Sequence, residues 1–227
     1  MKAIQQMVWD WPLRLFHWLL VLAVVGAYIT GELGGSLTDW HSRLGALTLG
    51  LLIFRIFWGF LGTYYARFVH FFPTPGRLIT YFKGDWHGVG HNPVGALSIF
   101  ALLLVLAALI VTGVFANDDI AFEGPLFHLI DKSLSDRISG WHEWLVDGLL
   151  GLVGLHITAV FYYLLIKKNN LIRPMLTGNT LLRPDQFVGS NGSLSIPRFI
   201  FVVLIASTVV WIVWSGLVTD YLASLSR

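Results

Sequence analysis

An imidazole in hydrocarbon costs several kcal/mol unless something binds it. GWHEWLVDGLLGLVGLHITAVFYYLLIKK, residues 140–168, is apolar enough to cross a membrane and carries two, His142 and His156, fourteen positions apart. On a helix that separation turns through ~1400°, within ~40° of four full turns, so the two rings face nearly the same way. The rise is roughly 21 Å, which puts them at two depths. Two more histidines match those depths. His17 in RLFHWLL lies inside the first apolar segment, and His41 in DWHSRLG opens the second. Depth pairs His17 with His156 and His41 with His142.

Opposed imidazoles at two levels, in a chain with no cysteine, suit axial ligation of two b-type haems held without thioether bonds. Zinc wants three or four ligands at one level, and calcium or magnesium a carboxylate cage; neither set is present. Haem propionates need cations. Arg14 precedes His17 by about a turn, Arg43 follows His41, and Arg55 sits toward the far end of the second segment. Arg14 and Arg55 serve equally well as interfacial anchors. Gly45, four residues after His41 and on its face, is the candidate for clearing a macrocycle. Gly148, Gly151 and Gly154 point away from His142 and read as a surface for close helix approach. His70, His87, His91 and His128 fall in or beside loops, where solvation is the default; His91 is the one set aside as a propionate contact.

The elements that position these residues follow from composition. The 227-residue chain is 56% hydrophobic and 12% charged, too little charge to cover a soluble domain. The net charge of +2 gives nucleic-acid binding no electrostatic support. Five segments reach the ~20 residues a helix needs to span the bilayer, at about 12–30, 41–61, 93–116, 140–166 and 197–222. The expected fold is an all-α integral membrane bundle, four haem-binding helices plus a fifth. Residues 1–180 form the di-haem domain, and 181–227 a linker and the extra helix. The N-terminus, lacking a small-residue cleavage site, reads as a first transmembrane segment rather than a signal peptide. Lysine and arginine gather in 62–90 and 167–198, whereas the loops around Glu32–Asp39 and Asp118–Asp136 are acidic. By the positive-inside rule the N-terminus is cytoplasmic and the C-terminus periplasmic.

VWDWPLRLFHWLL, WHSRLGALTLGLLIFRIFWGFLG, GHNPVGALS, GWHEW, GLHITAV and LIRPMLTG, in that order from Val8 to about Gly178, resemble the bacterial cytochrome b561 and nickel–iron hydrogenase cytochrome b family. The resemblance implies a four-helix core in the bacterial inner membrane holding two haem b groups. Axial histidines on helices 1, 2 and 4 fall on His17, His41, His142 and His156. GHNPVG resembles the start of a helix without axial ligands, which argues against His91. Transmembrane electron transfer is then the leading function, between a membrane quinone and a periplasmic c-type cytochrome or a dehydrogenase or hydrogenase subunit. A stand-alone oxidoreductase at the outer haem, with Glu143 and Asp147 handling protons, is an alternative. From a different class, so is a transporter or proton channel using the histidines as a relay.

Overall fold

The computed structural model of the chain describes residues 4–120, 122–182 and 193–225. In chain order its elements are β1 (Ile4–Met7), α1 (Trp11–Leu33), α2 (Thr38–Leu61), α3 (Phe68–Phe71), α4 (Pro75–Phe82), α5 (Pro93–Phe115), α6 (Lys132–Leu165), α7 (Ile172–Thr177), β2 (Asn179–Leu182), α8 (Ile196–Trp214) and α9 (Leu217–Leu225). Helices α1, α2, α5, α6 and α8 are long and apolar enough to cross a membrane, the five spans expected. Leu22, Leu104, Leu155 and Leu204 on these helices are more than half exposed. Apolar groups left outward at that frequency are suited to lipid rather than water. Arg183 and Asp185 of the basic linker, and Arg227, lie outside the described residues.

The chain divides into two compact units, each assembled from three separate stretches. One comprises Met1–His17, Arg55–Leu102 and Gly151–Val202. Here β1 pairs antiparallel with β2, from Ile4 opposite Leu182 to Met7 opposite Asn179. Strands of four residues carry too little alternation to be read from sequence. Beyond β1, the N–H groups of Val8 and Trp9 both donate to the Gly178 carbonyl, at 2.8 and 3.1 Å. Gly178, at φ +86°, makes the turn after α7 that only glycine adopts freely.

Asp10 then starts α1. Its buried carboxylate accepts from Leu13 N–H at 2.7 Å, capping the helix, and also from Trp58 Nε1 at 3.0 Å and Thr63 Oγ1 at 2.6 Å. One side chain thereby ties the start of α1 to the end of α2. Asn92 does a similar job for α5. Its Oδ1 accepts from Gly95 N–H at 2.7 Å while its Nδ2 donates to the Tyr163 hydroxyl at 2.9 Å, and Tyr163 also bonds Tyr81 of α4. Phe199 of α8 packs 4.7 Å from Trp11 and 6.2 Å from Trp58, ring centre to ring centre.

The other unit comprises Trp18–Phe54, Leu103–Leu150 and Val203–Arg227. Two boundaries differ from expectation here. Helix α6 begins at Lys132, not Gly140, because Asp131 caps it: its Oδ1 accepts from Leu134 N–H at 3.0 Å and Ser133 Oγ at 2.6 Å. Those bonds hold the Asp131 carboxyl below the usual range. The polar first turns are further fastened by Ser135, whose hydroxyl donates to Phe115 O at 2.7 Å, and by Ser139, which bonds the Asn117 backbone. Helix α8 stops at Trp214, short of residue 222, because Gly216 takes φ +77° and a new helix, α9, follows. Trp214 donates from Nε1 to Ser42 Oγ at 3.2 Å, so the fifth span packs beside α2.

Candidate functional site

His41 and His142 face one another, ring centroids 6.2 Å apart and planes 78° to each other. The Nδ1 of His41 lies 2.8 Å from the Ala27 carbonyl of α1. A carbonyl only accepts, so the ring donates from Nδ1 and keeps its lone pair on Nε2. The Nδ1 of His142 lies 2.9 Å from the Thr112 hydroxyl of α5. Glycines let both rings lie close to the neighbouring helix. A Cβ at Gly31 would stand 3.0 Å from His41 Nδ1, and one at Gly113 would stand 3.2 Å from His142 Cε1.

That separation can be tested against a metal atom held between the rings. Imidazole nitrogens bind transition metals at roughly 2 Å. With ring bonds near ~1.33 Å, each nitrogen lies ~1.1 Å from its ring centre. Two such arms end to end span about 6.2 Å, which the observed 6.2 Å matches. With Nδ1 of each ring occupied by protein, Nε2 is the nitrogen left to offer. These residues fit bis-imidazole ligation of a haem iron.

His17 and His156 fall together in the other unit, each partly buried and near enough to interact electrostatically. Of the four histidines singled out in the sequence, His41 and His142 face one another directly, and His17 and His156 lie in the same unit. Glu143 and Asp147 are exposed on α6. His87 is exposed, and His128 pairs with Glu123 at 3.2 Å near the surface.

The arginines differ from one another. Arg43 is exposed, its guanidinium 5.2 Å from the centre of the Trp40 ring. Arg14 donates from Nη1 to the Leu176 carbonyl, while its Nε is buried without a hydrogen-bond partner. Arg55 is 2% exposed, donates to Ala66 O at 3.1 Å and lies over the Phe68 ring at 4.4 Å. These contacts make Arg55 part of the packing between α2 and the loop that follows it. A Cβ at Gly45 would meet no atom within 4 Å, leaving that face of α2 open beside His41.

Sequence reading passed over Ala27, Gly31, Thr112, Gly113 and Asp10. A signal existed for Thr112: α5 carries only two hydroxyl side chains, Ser98 and Thr112, in an otherwise apolar span.

The first unit also holds a cavity of about 170 Å³ lined by aromatic and cationic groups, among them Tyr64, Tyr65, Trp86, Arg77, His70 and His91. His70 stacks on Tyr64 at 3.7 Å, and His91 lies between Trp9 and Phe71 at 4.4 and 4.5 Å. The His70 Nε2 and His91 Nδ1 atoms are buried with no hydrogen bond. Burial, with the Arg55 charge nearby, pushes the His91 imidazole down to about 3; burial and then Arg67 and Arg77 lower His70. The His91 ring is therefore neutral at ordinary pH, and the His70 ring is biased toward its neutral form.

The family model described as prokaryotic cytochrome b561 matches residues 8–178. This chain belongs to that family. Among the relatives of this cytochrome b561 is the probable Ni/Fe-hydrogenase B-type cytochrome subunit of Azotobacter vinelandii, 27% identical over 79% of this chain and 90% of that protein. The probable Ni/Fe-hydrogenase 1 B-type cytochrome subunit of Escherichia coli K12 is 23% identical over 78% of this chain and 91% of that protein, and the probable Ni/Fe-hydrogenase B-type cytochrome subunit of Rhizobium leguminosarum bv. viciae 26% over 80% and 92%. No solved structure matches the chain. The protein is a membrane b-type cytochrome of electron transfer, for which haem b is the prosthetic group.

Proposed function

We propose that the chain holds two noncovalent haem b groups in a core formed by residues 1–180, and carries electrons across the bacterial inner membrane. His17 with His156 would hold one haem, and His41 with His142 the other. The observation that carries this reading is the 6.2 Å opposition of His41 and His142, with each Nδ1 engaged by protein. Bound haem supplies a one-electron carrier. What the chain supplies is one imidazole lone pair on each side of each haem, the fixed tautomers of His41 and His142, and apolar surroundings for the ligands. His142 and His156 stand on one continuous helix with a rise of roughly 21 Å between them, so a carrier at each level would bridge most of the hydrocarbon.

What the relatives are named for, and the cavity, support a donor and an acceptor. A Ni/Fe-hydrogenase subunit at the acidic, periplasmic face is the partner best supported by the hydrogenase relatives, with a c-type cytochrome as the substitute. A membrane quinone is the other terminus. The cavity near His70 and His91 offers aromatic walls and two imidazoles, suited to a flat ring that gains or loses protons with its electrons. A histidine proton relay is less compatible with the geometry. Relays need Nδ1 and Nε2 to exchange roles, and at His41 the Ala27 carbonyl holds the proton on Nδ1.

Haem content, redox titration and EPR of the single variants His17→Ala, His156→Ala, His41→Ala and His142→Ala test the assignment. The first two should damage one and the same haem and the last two the other. If His17→Ala and His142→Ala lost the same haem, the pairing would fall. A colourless purified protein would remove the electron-transfer reading altogether.

A further inference from the structure

We propose that Thr112, on a helix that donates no axial ligand, is a positioning residue for the outer haem: it locks the His142 tautomer and tunes the electron density of that ligand. The inference rests on the reading of His142 as an axial ligand.

The tautomer follows from counting hydrogens. Thr112 Oγ1 lies 2.9 Å from Ala108 O, 3.1 Å from Leu109 O and 2.9 Å from His142 Nδ1. A hydroxyl has one hydrogen, and carbonyl oxygens have none to give. Two acceptors crowd one side of the oxygen, so the hydroxyl hydrogen belongs there, shared between the carbonyls one turn back. The remaining approach, from His142, must then bring its own hydrogen. Nδ1 carries the proton and Nε2 keeps its lone pair for iron. If the hydroxyl turned toward Nδ1 instead, two carbonyl oxygens would face the Thr112 oxygen within about 3 Å with no hydrogen between them, in a buried site.

Gly113 completes the device. Its missing side chain lets the imidazole edge approach α5 closely enough for Thr112 to reach it, since a Cβ there would stand 3.2 Å from Cε1 and 3.5 Å from Nδ1. The adjacent Thr112–Gly113 pair thus forms a seat for one ring. His41 has the same tautomer by a different means, a backbone carbonyl that no side-chain substitution removes. Among the described residues Thr112 is the one side chain hydrogen-bonded to either Nδ1, beside the Leu109 backbone that also bonds His142.

A hydrogen bond from Nδ1–H makes Nε2 a stronger donor, and a stronger donor favours ferric over ferrous iron. Removing the acceptor should weaken ferric relative to ferrous binding. Partners of this kind change metal affinity by about 10–100-fold. For a one-electron couple each tenfold change is about 59 mV.

The experiment compares the haem-loaded wild-type, Thr112→Val and Thr112→Ser proteins by redox titration and by EPR of the oxidised state. The expected result is a rise in one of the two midpoint potentials of Thr112→Val, about 59 mV for each tenfold by which ferric affinity falls more than ferrous. The low-spin signal of that haem should shift, the other haem should be unchanged, and Thr112→Ser should match wild type. Both potentials and both signals unchanged in Thr112→Val, where His142→Ala has lost a haem, would overturn the role of Thr112 and leave the ligation intact. Two normal haems in His142→Ala would overturn the ligation itself. Should Thr112→Val not accumulate, Thr112→Ala against Thr112→Ser decides the matter, and equal potentials in the two overturn the proposal.

Discussion

Replacing Gly31 by alanine should damage the haem site proposed at His41 and His142 without unfolding the helices. The added Cβ would stand 3.0 Å from His41 Nδ1 and 3.2 Å from Cε1, where ordinary contacts begin at ~3.5 Å. The ring must therefore retreat by roughly 0.5 Å. It is held by a 2.8 Å bond to Ala27 O, one turn back on the same face of α1. A retreat of that size stretches the bond to roughly 3.3 Å, past the normal range. The His142 ring centre is only 6.2 Å away, and ligand distances tolerate only ~0.2 Å. Overpacking of this kind costs about 1–3 kcal/mol, equivalent to roughly 5–150-fold in the affinity of that site. The helix itself gains about 1 kcal/mol from alanine. Haem per polypeptide, with redox titration, is the assay. One haem should fall in occupancy or shift in potential, while circular dichroism stays native. Gly148→Ala, whose Cβ would meet nothing within 4 Å, should leave both haems untouched. Two haems with wild-type potentials in Gly31→Ala would refute the seating of His41 against α1.

Other perturbations have equally definite outcomes. Asp10→Ala should lower stability by about 3 kcal/mol or more, because Leu13 N–H, Trp58 Nε1–H and the Thr63 hydroxyl each lose an acceptor worth ~1–3 kcal/mol; thermal melting in detergent would detect it, and a melt within a degree of wild type would contradict it. His91, ordinarily titrating near 6.5 and held down to about 3, is neutral in the fold. Above pH 6.5 it is neutral folded and unfolded alike and stability is unaffected. Below that, the unfolded chain takes up the proton and stability falls, by about 2 kcal/mol at pH 5. His91→Gln should flatten that slope, and an unchanged slope would mean that another group causes it. Reporter fusions should find the Gly62–Gly90 loop in the cytoplasm and a tag after residue 225 in the periplasm; both on one side would mean that α8 does not span.

Much of this was legible in the residues because it depends on local properties. Twenty apolar residues make a span wherever they fold, and a histidine in such a span must have a partner. Helical periodicity alone gave His142 and His156 a common face and two depths. Boundaries were less legible where polar residues belong to a helix. KSLSDRISG reads as loop, but Asp131, Asn117, Ser135 and Ser139 hold it as the first turns of α6. The stop at Trp214 depended on Gly216 adopting positive φ, which an apolar window does not register.

The sequence by itself determined the membrane class and the five spans, and singled out four histidines as candidate ligands. Only the tertiary structure decided which nitrogen of His41 and of His142 is free. That choice belongs to Ala27 and Thr112, on helices α1 and α5, far from either histidine in the chain. It also turned Arg55 inward, onto the Ala66 carbonyl and the Phe68 ring. Hydrogen bonds of this kind act over about 3 Å in space, and apolar periodicity records which face of a helix is buried without recording what it meets there.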